Sequence, residues 1–298
     1  MEIGLIGLGK MGFNLALNMN KNKHKVVAFD LNAQSRKLIN EKGILTGESL
    51  EDTIKKLPAQ KIIWLMIPAG KPVDDTIQAI KGFLKAGDII IDGGNSFFKD
   101  SVRRAKELEE LRIKYLDCGT SGGMEGALNG VCAMIGGDAN AFGTVEPLFK
   151  DISIKDGYLY CGQSGSGHFV KMVHNGVEYG MMQAIAEGFE VMQKSEFGLN
   201  LEAVAKVWNH GSVVRSWLME LTENALRKDP GLESIKGVMH SSGEGKWTLD
   251  TALEKQIATP VIALSLLMRY RSQEQDTFSG KVVSALRNEF GGHAVEKK

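Results

Sequence analysis

Cysteine and proline are scarce in this chain of 298 residues, with three of the first and six of the second. Cys118, Cys132 and Cys161 are odd in number, widely spaced and form no CxxC pair. That argues against a disulfide framework and a zinc site, and fits a reducing cytosol. Net charge is absent too, because Lys plus Arg and Asp plus Glu each total 36. No global field therefore marks a nucleic-acid or membrane partner, and an anionic small molecule must be held by locally gathered cations. Long apolar runs are also missing, since IIWLMIPAG is far too short to span a bilayer. The start, MEIGLIGLGK, enters a strand with no basic n-region or cleavage site. The expectation is a soluble, cytoplasmic protein. Its length exceeds one typical domain, so two are expected.

What is present falls into two unlike halves. Through about residue 161, short apolar runs alternate with amphipathic stretches. IGLIGL, KVVAFD, IIWLMI, DIIID, KYLDC, VCAMIGG and YLYC read as strands. NLALNMN, QSRKLIN, DDTIQAIKGFL, SVRRAKELEEL and AFGTVEPLF read as helices between them. This βαβ rhythm predicts an α/β, Rossmann-type, doubly wound and mostly parallel sheet. From His168 onward the periodicity is helical, with breakers at Asn200, Gly211, Pro230-Gly231 and Pro260. The expected domains are therefore a dinucleotide-binding domain over 1–162 and a smaller all-α substrate and oligomerisation domain over 163–298. The helical half is short for a self-sufficient core, so another subunit should cover its apolar faces.

Gly7-Leu8-Gly9-Lys10-Met11-Gly12 is a GxGxxG that follows the first strand and opens the first helix. Such glycines permit a tight turn and close approach to a pyrophosphate, and the helix N-terminus favours its charge. A second strand ends at Asp30, at the spacing where a carboxylate accepts hydrogen bonds from the adenosine ribose hydroxyls. A carboxylate there would repel a 2′-phosphate, and Leu31-Asn32 supply no arginine to hold one. NAD is expected over NADP. The alternative is a glycine-rich turn with a chance aspartate.

Gly165 to Tyr179, GSGHFVKMVHNGVEY, carries a polar stripe on one helix. His174, Asn175 and Glu178 lie roughly −60°, +40° and −20° around the helix from Lys171. A solvated face would explain most such stripes. Glycines at 165, 167, 176 and 180 weaken a helix without adding solubility. They suggest that something large approaches the backbone closely. Two further loops, Asp92-Gly93-Gly94-Asn95-Ser96 and Cys118 to Gly126, follow the fourth and fifth predicted strands. They fall at the carboxyl edge, where open α/β sheets bind ligands. Each could be an ordinary turn, or could bring hydroxyl, amide and N–H groups to an oxygen-rich ligand.

Together, GLGKMG, DGGNSFFKDSVRR, GTSGGMEGA, GSGHFVKMVHNGVEYG, GEGKWT and FGGHAV resemble the 6-phosphogluconate dehydrogenase family over nearly the whole chain. The resemblance implies Lys171 as general base and Glu178 as general acid. It implies Asn95, Ser121, Gly122, Gly123, His174, Asn175 and Tyr179 as substrate-binding residues, with Arg269, Arg287 and His293 around a phosphate. Gly7, Leu8, Gly9, Met11, Gly12, Asp30, Ile67, Pro68, Ala69 and Asn95 would contact NAD, and no metal is implied. The partners implied are a small anionic phosphosugar acid and a second copy of the chain, as a homodimer or homotetramer. In longer members the tail carrying the arginine and histidine comes from the neighbouring subunit. The chain looks like a short form, lacking most helical material between Arg269 and the tail. Asp30-Leu31-Asn32 replaces the asparagine-arginine-threonine typical of NADP users, and Pro68 stands where those often have lysine. Ser242 occupies the place of a phosphate-binding lysine, with Lys246 as the nearby candidate replacement.

The implied chemistry needs these residue types. Oxidising a β-hydroxy acid takes a base for the hydroxyl proton while hydride leaves for nicotinamide. A free lysine, with pKa ~10.4, is mostly protonated at neutral pH, so a neutral Lys171 requires burial and the positive nicotinamide ring. The 3-keto acid then loses carbon dioxide, and the enediol must be protonated at C1. Glu178, a rise of roughly 10 Å along the helix from Lys171, can serve the opposite end of the reacting unit. Rival readings are another β-hydroxyacid dehydrogenase, of 3-hydroxyisobutyrate or tartronate semialdehyde type, and a non-catalytic NAD-binding sensor.

Overall fold

Strands in the first half are short apolar runs whose alternate side chains are needed on opposite faces of one sheet. The computed structural model describes residues 1–297. The sheet has eight strands: β1 (Glu2–Ile6), β2 (Lys25–Phe29), β3 (Leu45–Thr46), β4 (Ile62–Leu65), β5 (Ile89–Asp92), β6 (Lys114–Ser121), β7 (Val131–Gly137) and β8 (Ser153–Gly162). Their order is β3-β2-β1-β4-β5-β6-β7-β8. Neighbours are parallel throughout except β6 and β7, which run antiparallel. The doubly wound reading holds, with a two-strand antiparallel extension at one side.

Helices on this sheet are α1 (Lys10–Lys21), α2 (Ala33–Asn40), α3 (Leu50–Lys55), α4 (Lys71–Ile80), α5 (Phe98–Glu109), α6 (Gly123–Asn129) and α7 (Ala139–Ile152). Ile3, Leu5, Ile62, Trp64, Ile89 and Ile91 share one core with Leu15 and Met19 of α1 and Leu148 and Phe149 of α7. The intervening Ile6, Ile63, Leu65 and Ile90 point the other way, onto Ile54, Ile77, Ile80 and Leu108 of α3, α4 and α5. This period-2 division is what a sheet covered on both faces demands. Trp64 is fully buried with its ring 5.5 Å from that of Phe149, and truncating it to alanine should cost about 3–5 kcal/mol.

The remaining helices are α8 (Ser166–Gln193), α9 (Leu201–Asn209), α10 (Trp217–Lys228), α11 (Glu244–Glu254), α12 (Pro260–Ser272) and α13 (Phe278–Gly291). Caps set their starts. Asn200 accepts from the Ala203 N–H, Ser216 from Met219 and Thr277 from Gly280. Pro260 occupies the first turn of α12, where its missing N–H costs nothing. The chain forms two compact units, Met1–Asn175 and Gly176–Lys298. The second unit is helical among its described residues, and its buried apolar cluster centres on Phe189, Ala205, Met219 and Leu226. No residue of α13 is buried.

Candidate active site

Register aligns the carboxyl ends of the central strands. Ile6 pairs with Phe29 and Leu65, and Leu65 pairs with Asp92, so the loops that follow leave one edge of the sheet together. Gly7 and Gly12 form the first of these loops. A Cβ on Gly12 would sit 1.9 Å from the Gly7 carbonyl oxygen, and Gly7 itself has φ +102°. Neither position accepts a side chain without moving the backbone. Gly9 caps α1 with no side-chain hydrogen bond and no acidic residue in the first turn. The free N–H groups and the positive end of the helix fit a pyrophosphate. Leu8 is buried and Met11 half-buried beside this turn.

Asp30 stands next to it. Its Oδ2 accepts the Leu8 N–H at 2.6 Å and its Oδ1 accepts the Asn32 N–H at 2.7 Å. Two backbone donors thus fix the carboxylate, which keeps lone pairs for ribose hydroxyls. The sequence reading missed a neighbour. Arg36, on α2, donates to the carbonyls of Asp30 (2.8 Å) and Leu31 (3.3 Å) and lies over the Phe29 ring. The absence of an arginine at 31 or 32 therefore does not leave this corner without a cation. Arg36 also faces Glu48 at 3.7 Å.

Lys171 lies on the first unit's part of α8, 6% exposed. Its Nζ donates to Asn175 Oδ1 at 2.8 Å and lies 3.4 Å from His174 Nδ1. His174 Nδ1 is 3.0 Å from the same Asn175 oxygen, and its Nε2 is 3.4 Å from Ser121 Oγ. Lys171, His174, Asn175 and Ser121 are therefore brought together. Gly119 of β6 backs this group, because a Cβ there would lie 2.2 Å from Lys171 Cβ.

The start of α8 is held by a residue that the motif reading passed over. Asp117 is fully buried, and its two oxygens accept the N–H groups of Gly165 (2.6 Å) and His168 (2.9 Å). A carboxylate satisfying donors at a helix N-terminus is favoured by the helix dipole. His168 Nδ1 in turn lies 2.7 Å from Ser101 Oγ on α5. Cys118, one residue on, is also buried, and burial pushes its thiol far above the usual range. It stays protonated and unreactive.

The glycines around the stripe do mark close approach, but by the protein itself. Cβ atoms at Gly165 and Gly167 would run into Val102 and the Met134 carbonyl, and those at Gly176 and Gly180 into Thr248 and Val261. Ser96 does not offer its hydroxyl to a ligand as its loop suggested. Its hydroxyl is turned inward and donates to Asp92 Oδ2 at 2.7 Å, whereas Asn95 is exposed. Among the residues expected against cofactor, Ile67 and Ala69 are half-buried and Pro68 is exposed. The segment read as a loop after Cys118 continues as strand to Ser121 and then enters α6 at Gly123, with Gly122 as its cap.

Within the second unit, Tyr179 is 6% exposed, and its hydroxyl accepts the Ser242 N–H at 3.1 Å. The Arg269 guanidinium lies 3.6 Å above the Tyr179 ring and donates to the His240 carbonyl at 2.6 Å. Tyr179, Ser242 and Arg269 are thus gathered together. Lys246, the candidate replacement cation, pairs with Asp250 at 2.6 Å. Glu178 is half-buried. Arg287 and His293 are exposed, and the His293 ring lies edge-on to Phe290. Among the described residues, no cluster of His, Cys, Asp or Glu could hold a metal ion, and no helix is long and apolar enough to cross a membrane.

Comparison with known proteins decides the family. Residues 2–162 match the NAD binding domain of 6-phosphogluconate dehydrogenase, and residues 167–298 match the 6-phosphogluconate dehydrogenase C-terminal domain. The chain belongs to the 6-phosphogluconate dehydrogenase family. A Bacillus subtilis protein named for the same family is 56% identical, with all of both chains covered. An NAD(+)-dependent, decarboxylating 6-phosphogluconate dehydrogenase of Haloferax volcanii is 43% identical, covering 100% of this chain and 99% of its own. The Plasmodium falciparum 6-phosphogluconate dehydrogenase, solved in its apo form and with NADP+ and 6-phosphogluconate, superposes with a TM-score of 0.85 at 32% identity. That structure covers 100% of this chain but is itself covered over 66% of its length. The 6-phosphogluconate dehydrogenase sheet and helical half are therefore both present in a shorter chain.

Proposed function

We propose that the protein converts 6-phosphogluconate to ribulose 5-phosphate and carbon dioxide while reducing NAD. The observation that carries this reading is the buried Lys171 amine held by Asn175 on the family's own KMVHN segment. Full-length similarity to an NAD(+)-dependent, decarboxylating relative supports it. Bound NAD would supply the hydride acceptor.

Lys171 takes the proton of the substrate's 3-hydroxyl. Asn175 accepts from the amine, so the nitrogen lone pair can be aimed away from the helix and toward that hydroxyl. The lysine then returns its proton to the keto oxygen as the carboxylate leaves, and Glu178 protonates C1 of the enediol. Ser121, His174 and Asn95 supply donors and acceptors for the sugar hydroxyls and carboxylate. Tyr179 and Arg269, held together as described, supply a phosphate site that Arg287 and His293 of a second copy complete. Asp30 favours the unphosphorylated ribose of NAD.

Steady-state kinetics of 6-phosphogluconate with NAD and NADP in parallel tests the proposal. Ribulose 5-phosphate and carbon dioxide should form in step with NADH. Absence of turnover, or oxidation of 3-hydroxyisobutyrate in preference, would overturn it.

A further inference from the structure

Arg104 lies on the buried stripe of α5 with Ser101 and Leu108, where helix periodicity calls for an apolar side chain. It is 1% exposed, and it still carries a full hydrogen-bonding fork. Its Nε donates to Asp74 Oδ1 at 2.8 Å and its Nη2 to the Gly70 carbonyl at 3.0 Å. Its Nη1 reaches Asp92 Oδ2 and Ser96 Oγ, each at 3.3 Å. The first pair closes the loop that follows β4 and carries Ile67, Pro68 and Ala69. The second pair brackets Gly93, Gly94 and Asn95. The loops also touch directly, since a Cβ on Gly94 would lie 2.8 Å from the Ile67 carbonyl oxygen.

Asp92 itself is fully buried and takes further donors from Tyr115 Oη (2.8 Å) and the Gly94 N–H (3.2 Å). A buried ion pair of this kind adds little net stability over an apolar replacement. What the planar guanidinium does supply is a fixed geometry between its partners, which a lysine ammonium cannot reproduce. We infer that Arg104 is a positioning residue, a strut that sets the separation of the β4–α4 loop from the Asn95 loop and so aligns cofactor with substrate. This rests on the proposed function, together with the expected contact of Ile67, Pro68 and Ala69 with cofactor and of Asn95 with both cofactor and substrate.

The test compares the purified full-length protein with Arg104→Lys and Asp74→Asn. It reads thermal midpoint, NAD affinity, KM, kcat and the isotope effect with 6-phosphogluconate deuterated at C3. Arg104→Lys should lower kcat on the order of 10²-fold, as misplacement of about 1 Å does, with smaller changes in either KM and a larger isotope effect. Asp74→Asn keeps Arg104 in place but removes its half-exposed anchor, and should shift kcat and the isotope effect the same way by less. If Arg104→Lys does not fold, Asp74→Asn alone decides. Variants with lowered midpoints but wild-type kcat and isotope effect would overturn the strut and leave the proposed function standing. A wild-type protein that does not oxidise 6-phosphogluconate would overturn both.

Discussion

Lys171 and Asn175 stand one helical turn apart on α8, with the lysine Nζ 2.8 Å from the asparagine Oδ1. The pair is buried, and Asn175 Oδ1, with His174 Nδ1 3.4 Å from the amine, helps to orient it. Lys171→Met should remove oxidation, a loss of ~10²–10⁴ in kcat for a positioned base. NAD binding, measured by fluorescence titration, should persist. Near-normal turnover in Lys171→Met would assign the base elsewhere.

Gly119 supplies a subtler probe of the same lysine. A methyl group at this position would press within 2.2 Å of Lys171 Cβ. Lys171 Cβ is fixed to the backbone and the Gly167 carbonyl oxygen lies 3.1 Å from the same point, so this stretch of α8, and Lys171 with it, is displaced relative to β6, where Gly119 pairs with Met134. Gly119→Ala should lower kcat on the order of 10²-fold, the effect of about 1 Å of misplacement. The KM for NAD should change little. Equal losses in both would place the damage in the fold rather than at Lys171.

Much of this site was legible because the motifs carry their own mechanism. GxGxxG with Asp30 specifies a turn, a helix start and a carboxylate, and Leu8 donating to Asp30 joins them. The Lys171 stripe follows from helix periodicity alone. Arg104, Asp92 and Asp117 were not legible, since nothing local says that a charged side chain will be buried. Arg104 meets Asp92 across 12 residues, and Asp117 meets His168 across 51. The glycines of α8 announced a close approach, yet only tertiary packing shows that strands and helices of the protein make it. The helix α6 was hidden by four glycines in Gly119 to Gly126, and β3 is two residues long.

Cofactor choice should follow Asp30. With its oxygens fixed by Leu8 and Asn32, the carboxylate cannot swing away from a 2′-phosphate. NAD should give the higher kcat/KM. Asp30→Asn combined with Leu31→Arg should move the preference toward NADP, aided by Arg36 nearby. A wild-type protein that favours NADP would show that Arg36, not Asp30, governs this corner.

Asp138 offers a check on pH dependence. It caps α7 by accepting the Ala141 N–H at 2.8 Å, and Lys114 donates to it at 2.7 Å. The Lys114 hydrogen bond holds its carboxyl below the ordinary value of 3.8, outweighing partial burial. A carboxyl depressed in the native state contributes stability that is full above the unfolded value and is lost as pH falls through the lower native value. Asp138→Ala should cost about 1 kcal/mol near neutrality, as loss of a cap does. The gap to wild type in thermal midpoint should narrow below pH 3.8. A gap that stays constant through acid would remove the ionised carboxylate from the account.

The active form should be at least a dimer in which the tail of one chain completes the phosphate site of the other. Phe278, Val283, Leu286 and Phe290 of α13 are exposed by 80%, 57%, 56% and 77%, an apolar stripe that a second copy of the chain would cover. Arg287 shares that helix, and His293 follows it, in the tail that resembles a crossing segment of longer relatives. The proposed substrate carries both a carboxylate and a phosphate, so a chain of zero net charge must deliver cations locally, and an arginine can bind phosphate oxygens bidentately. Lys171→Met and Arg287→Ala chains should each be inactive alone. Mixed under exchange conditions they should regain activity, because a hybrid dimer holds one intact composite site. A fully active monomer in sedimentation would end this account, whereas a dimer that never complements would confine the tail to its own subunit.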